Sequence, residues 1–160
     1  MKITTPTKRQ LSIYKRLFAG LKKRRSSADD MLFSRMHDTV FAGIECLSCA
    51  NCCKTHSPLF NQKDIERLSS HLKIRPAEFV SKFLLLDEDG DWIFNTTPCP
   101  FLASDNKCSV YNERPQACRE YPHTNRKNIY QLENITLKNA AICPAVITIL
   151  DGIAKKSGIT

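Results

Sequence analysis

Leu11, Tyr14, Leu17, Phe18 and Leu21 recur at helical spacing, and the pattern predicts an amphipathic helix over residues 8–25. Its polar side is basic. Lys8-Arg9, Lys15-Arg16 and Lys22-Lys23 repeat every seven residues and stack along the helix, and Arg24 and Arg25 follow. Ser26, Ser27 and Ala28 mark a break, and Ser27 with Asp30 resembles a capping box with Asp in place of Glu. A second helix is expected over 28–42, with Met31, Leu32, Arg35 and Met36 among its turns. Ile65, Leu68 and Leu72 form a stripe that predicts a helix over 62–72. Pro76 suits the first turn of another over 76–86, with Phe79, Val80, Phe83 and Leu84 as its apolar positions. Asp87 to Asp91 reads as an acidic turn before a short strand, Trp92-Ile93-Phe94. Residues 97–125 carry Pro98, Pro100, Pro115 and Pro122 and are expected to be mostly loop and turn. Pro144 opens a last helix over 144–156.

The apolar run from Ala140 to Leu150 is too short to span a bilayer, and no apolar signal-peptide core follows the basic N-terminus. A cytoplasmic protein that is not integral to the membrane is expected. Charge sharpens the picture. The chain of 160 residues is +8, and residues 1–35 hold ten Lys/Arg against two Asp, so the whole excess lies at that end. The reading is a basic helical arm, residues 1–42, before a neutral domain, residues 43–160. The helix of residues 8–25 suits nucleic acid, an anionic surface or an acidic protein, and equally a helix that packs its apolar side on its own domain and leaves its basic side wet. Its acid-poor amphipathic character also admits a presequence.

Eight cysteines change the reading most: Cys46, Cys49, Cys52, Cys53, Cys99, Cys108, Cys118 and Cys143. In a reducing compartment metal binding or redox chemistry is a better account than disulfides. Residues 46–57 cannot be regular structure throughout. Cys46-x2-Cys49-x2-Cys52 places three thiolates close enough to wrap one ion or one face of a cluster. The bacterial ferredoxin run C-x2-C-x2-C-x3-C-P adds a fourth cysteine before proline, and here Cys99-Pro100 and Cys143-Pro144 offer that pairing at a distance. Zinc competes, because four thiolates or imidazoles in a tetrahedron satisfy it, and His56 and His123 are the histidines nearest to cysteines. Adjacent Cys52 and Cys53 have diverging side chains, so one is expected to bind a second metal or to pack as a free thiol.

Taken together, Cys46-x2-Cys49-x2-Cys52-Cys53, Cys99-Pro100-Phe101-Leu102, Cys108-Ser109-Val110-Tyr111 and Arg114-Pro115-x2-Cys118-Arg119-x-Tyr121-Pro122 resemble the YkgJ-type cysteine-cluster family, the CxxCxxCC zinc- or iron-chelating domain. The resemblance covers roughly residues 46–145. It implies a small intracellular protein that ligates zinc or iron through these cysteines. A similar domain occurs in flagellin lysine methylases beside an iron–sulfur centre, but no methyl-donor motif is readable in this chain, so that activity is not carried over.

The expected fold is mainly α with irregular loops, a small cysteine-ligated metal domain preceded by the basic arm. The expected function is binding of an iron–sulfur cluster or iron, linked to an unknown protein or redox partner. The alternative is a zinc-stabilised binding module whose basic helix contacts nucleic acid or protein. Arg114 and Arg119 are expected to offset thiolate charge, or else to pair with Glu113 or Glu120. Tyr111 and Tyr121 are expected in the core, Asp64 as a helix cap, the acidic turn at 87–91 as a solvated loop, and His37 as a surface or packing residue. No Gly-rich phosphate loop and no G-x-S-x-G nucleophile motif are present.

Overall fold

A computed structural model of the chain describes residues 5–159. The first four residues of the expected arm, and Thr160, lie outside the described residues. The fold is mainly α, with one two-stranded sheet and irregular loops among the described residues. It divides into two compact units: one made of residues up to Glu45 together with Pro122 onward, the other spanning Cys46–Tyr121.

The first unit holds α1 (Lys8–Arg24), α2 (Ser27–Phe41), α8 (Glu133–Ala140) and α9 (Pro144–Lys156). Thr7 starts α1 through a reciprocal box: its hydroxyl accepts the Gln10 N–H at 3.2 Å, and its own N–H donates to the Gln10 side chain at 3.0 Å. Arg25, in the left-handed region at φ 48°, ends it. The cap of α2 is Ser26 and not Ser27: the Ser26 hydroxyl accepts the Ala28 N–H at 3.2 Å. Asp30 is spent elsewhere. Its carboxylate accepts the N–H groups of Asn128 and Ile129 at 2.9 and 3.0 Å, which fixes the single 3₁₀ turn Ile129–Gln131.

The apolar stripe of α1 is wholly used inside this unit. Tyr14, Leu17, Phe18 and Leu21 are buried with Phe33 of α2, Ile129, and Val146, Ile149, Leu150 and Ile153 of α9. Burial of each large side chain stabilises by roughly 1.5–3 kcal/mol. The Tyr14 hydroxyl donates to Asp151 at 2.7 Å and the Gln10 side-chain amide donates to its other oxygen at 3.0 Å, so the polar end of the α1 stripe is also tied to α9. The helix read as an arm is therefore a core helix with its basic side exposed, and residues 122–160 cluster with it.

His37 of α2 packs on Phe41 with ring centroids 4.4 Å apart, and its Nδ1 lies 2.8 Å from the hydroxyl of Thr124, which is fully buried. Burial lowers its pKa below the usual 6.5, with Asp38 acting weakly the other way. A histidine depressed in the fold contributes stability that is full above the unfolded pKa of about 6.5 and is lost as pH falls through the folded value. Melting temperature is expected to fall between about pH 7 and pH 5. A His37→Gln chain should show a shallower fall over that window; an identical slope would remove His37 as its source.

The second unit holds α3 (Cys46–Cys49), α4 (Asn51–Thr55), α5 (Gln62–His71), α6 (Pro76–Phe83), β1 (Leu84–Leu86), β2 (Trp92–Phe94) and α7 (Gln116–Glu120). Helix α6 stops three residues short of its expected end at 86. Leu84 turns extended, and Leu84–Leu86 pair antiparallel with Trp92–Phe94. Hairpin formation wins because the acidic turn satisfies itself: the Asp87 carboxylate accepts the N–H groups of Asp89 and Asp91 at 3.0 and 2.9 Å, and Gly90 supplies the positive φ of 82°. That carboxylate is occupied by backbone. The core beneath is aromatic: Phe60, Phe79, Phe94 and Phe101 are buried, with Phe60 and Phe94 edge-to-face at 4.7 Å and Phe83 against Phe101 at 5.2 Å.

Candidate metal centre

Seven of the eight cysteines lie in the second unit; Cys143 lies in the first, at the residue that opens α9, packed against that unit's core. None of the eight is disulfide-bonded.

The C-x2-C-x2-C-C run folds as two single turns of helix broken at one residue. Cys46 and Cys49 sit on α3, and Cys52 and Cys53 on α4. Between them Ala50 adopts the left-handed conformation at φ 48°, which reverses the chain so that two successive turns carry their thiols from one knuckle.

The remote cysteines are brought in by backbone. The Cys99 N–H donates to the Cys53 carbonyl at 2.8 Å. Residues 101–109 fold back on themselves through Ser109 N–H to Phe101 carbonyl at 2.9 Å and a bridge between Leu102 and Cys108, and the Asn106 side chain donates to the Ser48 carbonyl at 3.3 Å. Cys99 and Cys108 are thus pinned beside the knuckle.

Cys118 arrives on α7, and the residue that places α7 is Asp64. This carboxylate, 1% exposed, accepts from Asn61 N–H at 3.3 Å and so caps its own helix as expected. It also accepts the Gln116 N–H at 3.1 Å, capping α7 from a distance, and pairs with Arg67 at 2.6 Å. Arg67 in turn donates to the carbonyls of Glu113 and Arg114 at 3.3 and 3.0 Å. The N-x-x-D spacing of Asn61 and Asp64 announces the local cap, whereas its reach to Gln116 has no signal in the sequence.

The Cys52 and Cys53 sulfurs stand 4.0 Å apart and do not diverge as expected for neighbours. Two thiolates on one tetrahedral ion with bonds of about 2.3 Å are separated by roughly 3.8 Å, so this pair is spaced as one edge of a tetrahedron. The hydrogen bond between the two sulfurs pushes their pKa values apart, one thiol of the pair up and the other down. Burial pushes Cys99 up to about 11 and Cys118 up to about 12, and raises Cys108. Against burial, the N–H groups of Phe101 and Leu102 act on the Cys99 sulfur, and that of Val110 acts on Cys108. At both cysteines the amide two residues on is a donor to the sulfur, an arrangement that favours thiolate. At Cys99, Cys108 and Cys118 burial is the largest cause and the charge of the Cys52–Cys53 pair adds to it, so these thiols lie close enough to feel one another.

Arg114 lowers Cys108 and Cys118, as charge offset requires. It also lies 3.7 Å over the Tyr111 ring, and Tyr111 is 43% exposed rather than in the core. Arg119 donates to the carbonyls of Arg114 and Asn112 at 3.0 and 2.7 Å and so acts on the loop. His56 is exposed, its Nδ1 2.9 Å from the Thr55 hydroxyl, and His123 belongs to the first unit.

As the side chains stand, no three His, Cys, Asp or Glu among the described residues are arranged to hold an ion. A cysteine sulfur moves between its staggered positions by rotation about one bond. The donor chemistry fits a thiophilic cation: half-buried neighbouring thiols, amides aimed at two of the sulfurs, and a guanidinium acting on two thiols, with the Asp64 carboxylate turned to the backbone.

A family model described as CxxCxxCC, "putative zinc- or iron-chelating domain", matches residues 45–144. The chain belongs to the CxxCxxCC family. The match takes in every cysteine of the chain and runs from the knuckle to the residue after Cys143. The description of the CxxCxxCC family supports metal binding by this chain. No curated protein and no solved structure matches the chain significantly. Among the described residues no helix is long and apolar enough to cross a membrane.

Proposed function

We propose that the cysteines of the second unit hold an iron centre, an iron–sulfur cluster or a thiolate-bound ion, and that the protein serves a redox partner through it. The observation that supports this reading most is the gathering of thiols at one knuckle: the Cys52 and Cys53 sulfurs lie 4.0 Å apart, the Cys53 carbonyl accepts the Cys99 N–H at 2.8 Å, and the Asn106 side chain ties the loop that carries Cys108 to Ser48. Thiolates gathered in this way are tolerable together only against a cation. Cys46, Cys49, Cys52, Cys53, Cys99, Cys108 and Cys118 would be its ligand pool, and Cys143 is retained as an eighth candidate. An iron–sulfur centre supplies one-electron transfer when bound; the chain contributes the thiolates, the amides that steady two of them, and the Arg114 charge.

A second reading rests on the Cys52–Cys53 separation of 4.0 Å, which suits a single ion and therefore also zinc. Anaerobic purification with metal, sulfide and visible-absorption analysis decides between them. Iron with an equal amount of acid-labile sulfide and a broad band near about 400 nm supports the cluster, iron without sulfide the mononuclear form, and colourless protein with zinc the second reading. Protein that takes up neither metal on anaerobic reconstitution would overturn both.

A further inference from the structure

We propose that the solvent face of α1 is a binding site for duplex nucleic acid, gripping the sugar–phosphate backbone without reading sequence. The first unit is the basic one. Its two segments carry fifteen Lys/Arg against six Asp/Glu, a net +9, whereas the second unit carries nine against ten. The charge is also ordered. With Tyr14, Leu17, Phe18 and Leu21 buried, the opposite side of α1 presents Lys8, Lys15 and Lys22 along one rail and Arg9, Arg16 and Lys23 along another, all exposed. Exposed Ser12 and Ala19 form the floor between the rails. A shallow groove of about 540 Å³ runs there, lined by Lys8, Leu11, Ser12, Lys15, Arg16 and Ala19. Lys8, Arg9, Lys15 and Arg16, exposed in the N-terminal half of α1, are the principal grip.

Successive rungs are seven residues apart, a rise of about 10.5 Å. The cations form an ordered linear row, which suits a regular polyanion more than an irregular acidic protein surface. A membrane is disfavoured because the apolar side of α1 is inside the unit and has nothing to insert. A single strand is disfavoured because both aromatics of α1, Tyr14 and Phe18, are fully buried and stack no base.

The test uses the full chain with its metal and a labelled duplex of about 20 base pairs and arbitrary sequence, read by anisotropy from roughly 50 to 200 mM salt. The expected result is binding whose log–log salt slope is near about −3.6, for four phosphate contacts, and which is indifferent to sequence. The exposed-site variant Lys8→Ala/Arg9→Ala/Lys15→Ala/Arg16→Ala, checked for unchanged melting and metal content, should lose about 100-fold or more at low salt, together with most of the slope. The narrower Lys15→Gln/Arg16→Gln should lose about half the slope, and a Lys63→Ala/Arg75→Ala control in the second unit should bind as the parent does. Duplex affinity unchanged in the four-site variant overturns the proposal. So does tighter binding to polyglutamate or to phosphatidylserine vesicles than to the duplex. Metal content is read separately, so loss of the proposed centre and loss of duplex binding are distinguishable.

Discussion

Serine at Cys53 is expected to remove metal and lower the melting temperature together. The substitution keeps size and the backbone carbonyl that anchors Cys99, and removes the sulfur that stands 4.0 Å from that of Cys52. In a site formed only by the folded chain, metal affinity is folding free energy, so a lost ligand is read in both quantities. Metal per chain should fall by more than half and stability by about 3 kcal/mol or more, which for a chain of this size is about 6–12 °C. The measurement is metal content and a melting curve on the same anaerobic preparation. Full metal with an unchanged curve would take Cys53 out of the centre. Cys143→Ser, made alongside, assigns the eighth cysteine: lost metal places it among the ligands, and full metal leaves it as packing of the first unit.

Asp64→Ala is expected to cost about 3 kcal/mol although no cysteine is touched. Breaking a buried charged pair by deleting one partner leaves the other without its counter-charge, and three backbone or guanidinium donors lose their acceptor. Arg67 is 31% exposed and regains some water, which keeps the cost at the low end of the range for buried pairs. The informative readout is metal content. Because Asp64 holds the start of α7, Cys118 should be displaced and metal retention weakened. Asp64→Asn, which keeps one acceptor for Gln116, should restore part of both. A variant that melts lower yet keeps all its metal would confine Asp64 to the scaffold.

The helices carried by periodic apolar residues were legible to within a few positions. The α1 stripe, the Ile65–Leu68 stripe and the Pro76 and Pro144 starts all stand where the pattern put them. The errors arose where a side chain had a choice of partner. Asp30 serves Asn128 and Ile129 in place of a capping box, and Leu84–Leu86 leave their helix for a hairpin partner eight residues on. Helix α8 was missed because Ile135 and Leu137 do not repeat at helical spacing in its eight residues. For the candidate site, spacing singled out the cysteines as candidates, and the structure brings Cys99, Cys108 and Cys118 near the knuckle. Spacing did not reveal how: the Cys53–Cys99 backbone bond, the Asn106 tie and the reach of Asp64 all join residues more than forty apart.

The first unit is built from the two ends of the chain, with the second spelled between them. On the ribosome this has an order of events built into it. Tyr14, Phe18 and Phe33 are made early, yet Val146, Ile149 and Leu150, which cover them, come more than a hundred residues later. At about 5–20 residues per second the wait is roughly 5 to 25 s. Every thiol from Cys46 to Cys118 emerges within that interval. The proposed ligands are therefore all made while the first helices are still uncovered, and the last helix closes the first unit only after the whole of the second has been synthesised.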